Sequence, residues 1–155
     1  PYLRQPDSFD PRAAFIFKGI ADDEIIGNFG LQQGGAGGDE VDRLDYLQGT
    51  PPHALLLATA SGFSDVYKYF PEDVHYDQTY PSEPGQTGNA NPHVRADMVF
   101  YELPNGGAVF STASITWCGA LSYNGSQNNV SRITENVLRR FLDPTLFSCT
   151  PGEDE

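Results

Sequence analysis

The stretch that decides the fold is ADMVFYELPNGGAVFSTASI, residues 96–115. Its two apolar, β-rich runs flank Pro104-Asn105-Gly106-Gly107, and a short Gly-containing break between such runs predicts a hairpin of adjacent antiparallel strands. Upstream, HALLLATA at residues 53–60 is a continuous apolar run bounded by Thr50-Pro51-Pro52 and Ser61-Gly62. A strand without polar alternation is expected to be covered on both faces, as in the parallel sheets of α/β proteins. Downstream, at residues 128–142, Val130, Ile133, Val137, Leu138 and Phe141 share one stripe of a helix. Asn129 or Ser131 can cap its start, Arg139 and Arg140 lie near its C-terminal carbonyls, and Asp143-Pro144 ends it. Strands and helix together place the chain in the α/β class.

Further out the pattern thins. Residues 1–12 carry prolines and polar side chains with no period that would bury a face, so they read as a linker or arm. FIFKGI and DDEII, within residues 13–26, are short apolar runs compatible with a small strand followed by a turn. Residues 27–38, which include GGAGG at 34–38, are the most glycine-dense stretch, and Val41, Leu44 and Leu47 then recur at a spacing of three that suits one or two helical turns. Residues 63–95 form a long polar and aromatic loop in which Pro71, Pro81, Pro84 and Pro92 oppose regular structure. Residues 145–155 are a short tail, acidic at its end. The globular part is expected at residues 13–144.

Charge narrows the partners. With 21 acidic against 9 basic residues, the net charge of -12 repels phosphate backbones and anionic lipid, which argues against nucleic acid. No window approaches the ~20 apolar residues of a membrane helix, and the opening PYLRQPDSFDPRAAF lacks the apolar core of a signal peptide. Cys118 and Cys149 lie far apart without CxxC spacing. A cytoplasmic setting is the expectation.

Short motifs point to little chemistry on their own. The glycine run lacks both the G-x-G-x-x-G and the Walker pattern, and Asp39 and Glu40 behind it would oppose a bound anion. Its glycines are better read as permitting positive φ and close backbone approach. His53, His75 and His93 have no metal-ligand spacing, so no residue of the chain is assigned as a metal ligand. Cys118 lacks the elbow and base of a nucleophile and is expected to be a small buried thiol. EVDRLD, residues 40–45, reads either as a solvated, mutually paired helix face or as carrying the candidate catalytic residue Glu40, whose carboxylate a glycine-rich loop can deliver to a pocket to position water or accept a proton. Asp42 and Asp45, by contrast, have Arg43 beside them as a partner.

Residues 96–144 together with IADDEIIGNFGLQQGGAGGDEVDRLDYLQGTPPHALLLATA, residues 20–60, resemble, in the same order, the C-terminal region of N,N-dimethylformamidase large (beta) subunits. The resemblance covers about residues 13–144. It implies the C-terminal part of a glutamine-amidotransferase-like (flavodoxin-like) three-layer domain, within a subunit of several hundred residues that pairs with a small subunit in a hetero-oligomer. It further implies hydrolysis of a small amide, N,N-dimethylformamide, to dimethylamine and formate. A mononuclear iron held by two tyrosines and a glutamate is implied as cofactor, with its ligands outside this chain, and Glu40 is then the residue that assists water. The alternative is a non-catalytic subunit-docking domain, with Tyr67, Tyr69, Phe70, Tyr76 and Tyr80 supplying an aromatic interface.

Overall fold

The computed structural model describes residues 1–31, 34–68 and 87–148. Four strands make one antiparallel sheet in the order β1 (Leu3–Arg4), β2 (Leu55–Ala60), β3 (Ala96–Glu102), β4 (Ala108–Ser111). Two helices follow, α1 (Thr116–Ala120) and α2 (Asn129–Leu142), with short 3-10 turns at Pro6–Phe9, Pro11–Ala13, Tyr46–Gln48 and Tyr123–Ser126. The α/β class and the hairpin are as expected. Val99 pairs with Ser111 and Glu102 with Ala108, and Leu103 N–H donates to the Gly107 carbonyl across the loop at 2.8 Å. Gly106 takes φ +83°, the left-handed conformation such a loop requires.

The strand in HALLLATA is real, but the parallel sheet is not. β2 runs antiparallel to both β1 and β3. Its unbroken apolar run has another cause: the register slips between Leu56 and Ala58, so Leu57 and Ala58 are both buried in succession. A bulge of this kind breaks the inside-outside alternation that an antiparallel strand otherwise shows. Asp7 accepts from Leu56 N–H at 2.9 Å beside it.

The opening residues are no loose arm. β1 pairs with β2, and Tyr2, fully buried, exchanges backbone hydrogen bonds with Ile26 at 2.8 and 3.0 Å. Its ring meets Trp117 edge-on with centroids 5.9 Å apart, and its hydroxyl donates to the Thr112 carbonyl at 2.5 Å. Burial pushes the Tyr2 phenol above its ordinary value; a hydrogen bond with Ser114 acts the other way and the Asp97 charge acts with burial. Residues 13–26 form no strand beyond that single bridge. Bonds from Ile16 N–H to Ala13 and from Ile20 N–H to Phe17, both 2.9 Å, wind the segment into turns that bury Ile16, Phe17 and Ile20.

Helix α2 has the predicted extent and a different cap. Asn128, not Asn129 or Ser131, accepts from Ser131 N–H at 2.8 Å. Asn129 instead ties the helix to the N-terminal turns: its amide donates to Glu24 at 2.7 Å and to the Ile25 carbonyl at 2.9 Å, and it accepts from Gly27 N–H at 3.0 Å. Val130, Ile133 and Val137 are buried, whereas Leu138 is 57% and Phe141 40% exposed. With about 100° per residue, Leu138 is rotated off the stripe. Phe141 packs instead on Phe147, at a centroid distance of 5.5 Å. Asp143 ends the helix in an extended conformation, as expected before proline.

Met98 and Phe100 point into the core with Tyr2, Ile16, Ile26 and Val130. Asp97, Val99 and Tyr101 face the other way, into an open cleft of about 310 Å³ walled by residues 42–44 and 48–51. No helix among the described residues is long and apolar enough to cross a membrane.

Candidate functional site

The glycine-rich loop is threaded through a space too narrow for side chains. A Cβ at Gly37 would lie 2.6 Å from that of Ala60 and 3.0 Å from the Tyr2 ring. Gly34 needs φ +73° for a different reason, since open space surrounds it. Both expected uses of these glycines, close approach and positive φ, are therefore present. Immediately beyond them, Asp39 and Glu40 hold φ of +33° and +48°. Two successive side-chain-bearing residues in the left-handed region are costly, and such strain persists only where surrounding contacts impose it.

Those contacts come from the turn after β4. Ser114 accepts from Gly38 N–H at 2.9 Å and donates to the Gly38 carbonyl, with the Asp39 carbonyl 3.3 Å away. Its oxygen also lies 2.9 Å from the Thr116 hydroxyl and 3.3 Å from Thr116 N–H. Thr116, itself buried, reaches the Gly38 carbonyl at 3.3 Å. Tyr67 completes the ring, its hydroxyl accepting from Asp39 N–H at 3.3 Å. Ala113, one residue before Ser114, is also strained, at φ +54°, and its carbonyl accepts from Asp42 N–H at 3.1 Å.

The other end of the loop is nailed to the sheet by a buried carboxylate. Asp97 is 1% exposed and accepts from Arg95 Nε at 2.8 Å, from Thr59 Oγ1 at 2.9 Å and from Leu44 N–H at 2.9 Å, while its own N–H donates to the Asp42 carbonyl at 2.9 Å. This explains why Val41, Leu44 and Leu47 do not form the expected helical turns. Asp42 N–H is committed to the Ala113 carbonyl, and the Asp42 carbonyl and Leu44 N–H to Asp97 of β3; of this segment only Tyr46–Gln48 closes a 3-10 turn, capped by Asp45. Although desolvation opposes it, hydrogen bonds from Leu47 N–H and Arg43 hold the Asp45 carboxyl below its ordinary value. Arg43 is thus engaged by Asp45 through a direct ion pair.

Glu40 stands between these two anchors, exposed, and no hydrogen bond or ion pair holds its carboxylate among the described residues. A carboxylate left open to a ligand on a backbone fixed on both sides can serve as a proton acceptor for a bound water. Ser114, Thr116 and Tyr67 meet the loop at Gly38 and Asp39, just before Glu40; Tyr67 was expected in an aromatic interface, and Ser114 and Thr116 were not singled out by the sequence. STAS, residues 111–114, is an unremarkable run of small residues, and only its tertiary meeting with Gly38 gives it a role. Cys118 is corrected: it is exposed on α1, not buried, because Trp117 and Ala120 occupy the inward positions of that short helix. His53 bonds the Glu102 carbonyl through Nε2 at 2.9 Å. His75, Tyr69, Phe70, Tyr76, Tyr80 and Cys149 lie outside the described residues.

No group of three His, Cys, Asp or Glu side chains suited to a metal occurs among the described residues.

Comparison with known proteins gives this geometry a context. The sequence model of a family described as N,N-dimethylformamidase beta subunit-like, C-terminal, matches residues 1–131. The chain is 50% identical over 141 residues to the N,N-dimethylformamidase beta subunit of Paracoccus aminophilus, covering 91% of this chain and 18% of that protein. It is 47% identical, with the same coverage, to the N,N-dimethylformamidase beta subunit of an Alcaligenes species. The chain thus spans less than a fifth of the length of the curated relatives it matches.

Proposed function

The chain belongs to the N,N-dimethylformamidase beta subunit-like C-terminal family, and on that premise we propose that it forms the C-terminal portion of an iron-dependent amidohydrolase subunit. The substrate is N,N-dimethylformamide, the products are dimethylamine and formate, and the working enzyme is a cytoplasmic hetero-oligomer with the rest of the large subunit and a small subunit. In this reading the sheet and α2 are part of a glutamine-amidotransferase-like three-layer domain. Support for the assembly comes from the relatives' shared name and from their far greater length.

The observation that carries a catalytic role is Glu40, an exposed carboxylate on a doubly anchored, left-handed backbone. Its carboxylate takes a proton from water as the water oxygen adds to the amide carbonyl carbon. The C–N bond then breaks, the proton passes to the departing nitrogen, and formate and dimethylamine leave. General base assistance of this kind is worth about 10²–10⁴-fold in rate. Iron, in this reading, is held by residues outside those described.

A second reading, subunit docking without catalysis, draws on the apolar surface near the end of α2, where Leu142 is 83% and Leu146 70% exposed. Glu40→Gln in the full-length subunit with its partner separates the two. Catalysis by Glu40 predicts kcat per bound iron down about 10²–10⁴-fold with assembly and melting temperature kept. An unchanged kcat per iron removes Glu40 from the reaction and leaves docking as the better account.

A further inference from the structure

We propose that Ser114 is a positioning residue for Glu40, a role that rests on the reading of Glu40 given above. A serine hydroxyl has one hydrogen and two lone pairs. At Ser114 the hydrogen goes to the Gly38 carbonyl and a lone pair to Gly38 N–H, while the hydroxyl and N–H of Thr116, at 2.9 and 3.3 Å, and the Tyr2 phenol support the same oxygen. A single side chain thereby engages both backbone polar groups of one residue, Gly38, two residues before Glu40. Among the described residues no other side chain holds Gly38 from both sides; Thr116 reaches its carbonyl alone.

The need for such a clamp follows from the strain beside it. Asp39 and Glu40 both occupy the left-handed region, which residues with a Cβ leave readily for extended or right-handed conformations. Glycines at 34, 35, 37 and 38 supply no stiffness on the N-terminal side. Asp97 anchors the chain only from Asp42 onward. Without Ser114, the backbone between Ala36 and Asp42 keeps Tyr67 and Thr116 as its remaining side-chain contacts, and Glu40 projects from an ensemble of positions. Since misplacement of a catalytic group by about 1 Å costs up to about 10²-fold, the clamp converts a flexible loop into a usable base.

A double-mutant cycle in the full-length enzyme tests this. Ser114→Ala is expected to lower kcat per iron by about 10–10²-fold, with KM changed less than about twofold as for an interaction realised in the transition state. Ser114→Thr, which keeps the hydroxyl, is expected to restore most of kcat. In a Glu40→Gln background, adding Ser114→Ala should then change kcat hardly at all, because a positioning residue has nothing left to position. Equal effects of Ser114→Ala with and without Glu40 overturn the proposal. If Glu40→Gln alone leaves kcat intact, it is the Glu40 reading that fails. The clamp is then judged by amide hydrogen exchange in the same full-length enzyme: Gly38 N–H exchanging no faster in Ser114→Ala than in the unmodified protein overturns it as well.

Discussion

The loop that carries Glu40 and helix α2 reach order by opposite routes. In α2 the backbone bonds to itself, Asn128 caps it, and Glu135 pairs with Arg139 at 2.8 Å one turn on. Its backbone hydrogen bonds close within the helix, and packing of Val130, Ile133 and Val137 on the core supplies most of its stability. The loop at residues 34–45 has no such preference. Its peptide groups bond outward to Ser114, Tyr67, Ala113 and Asp97, and two of its residues sit where side chains resist being. Order there is imposed from three distant parts of the chain, which leaves a carboxylate exposed yet fixed.

This contrast makes ordered claims about stability. The largest effect is expected at the loop's buried anchor. Asp97→Ala leaves Leu44 N–H, the Thr59 hydroxyl and the Arg95 guanidinium without their acceptor, a loss of about 3 kcal/mol by urea unfolding. Next comes Gly37→Ala, whose Cβ would collide with Ala60 and Tyr2; overpacking of this kind costs about 1–3 kcal/mol. Gly34→Ala meets no atoms and bears only its positive φ, so about 1 kcal/mol is expected. Asn128→Ala removes the cap of α2 and should likewise cost about 1 kcal/mol in melting experiments. Were the cap to matter more than Asp97, the view of the loop as held by distant side chains and the helix as bonded within itself would be reversed.

The same contrast explains which elements could be read from residues alone. Hairpin and helix are written in local spacing, so their extents were legible and only their details moved: the cap shifted by one residue because Asn129 was needed at Glu24 and Gly27. The sense of β2 was not legible, since a bulge and a parallel strand both produce an unbroken apolar run. Tyr2 looked like part of a polar arm because its partners, Ile26, Thr112 and Trp117, are distant in sequence. At the candidate site, Glu40 and its glycines could be picked out from composition and family likeness. Ser114 could not, for a serine at a strand end signals nothing until the chain it touches is known.

Asn129 carries a consequence for how the molecule comes into being. By bonding Glu24, Ile25 and Gly27 it joins the first sixth of the chain to nearly the last, and Asn136 repeats the stitch to the Ile16 and Lys18 carbonyls at 3.0 and 2.9 Å. In the order of synthesis, Tyr2, Ile16 and Ile26 therefore emerge well before Trp117 and α2, against which they pack. Such high contact order makes assembly of this part of the fold late and concerted, because its apolar residues find these partners only once α2 has emerged.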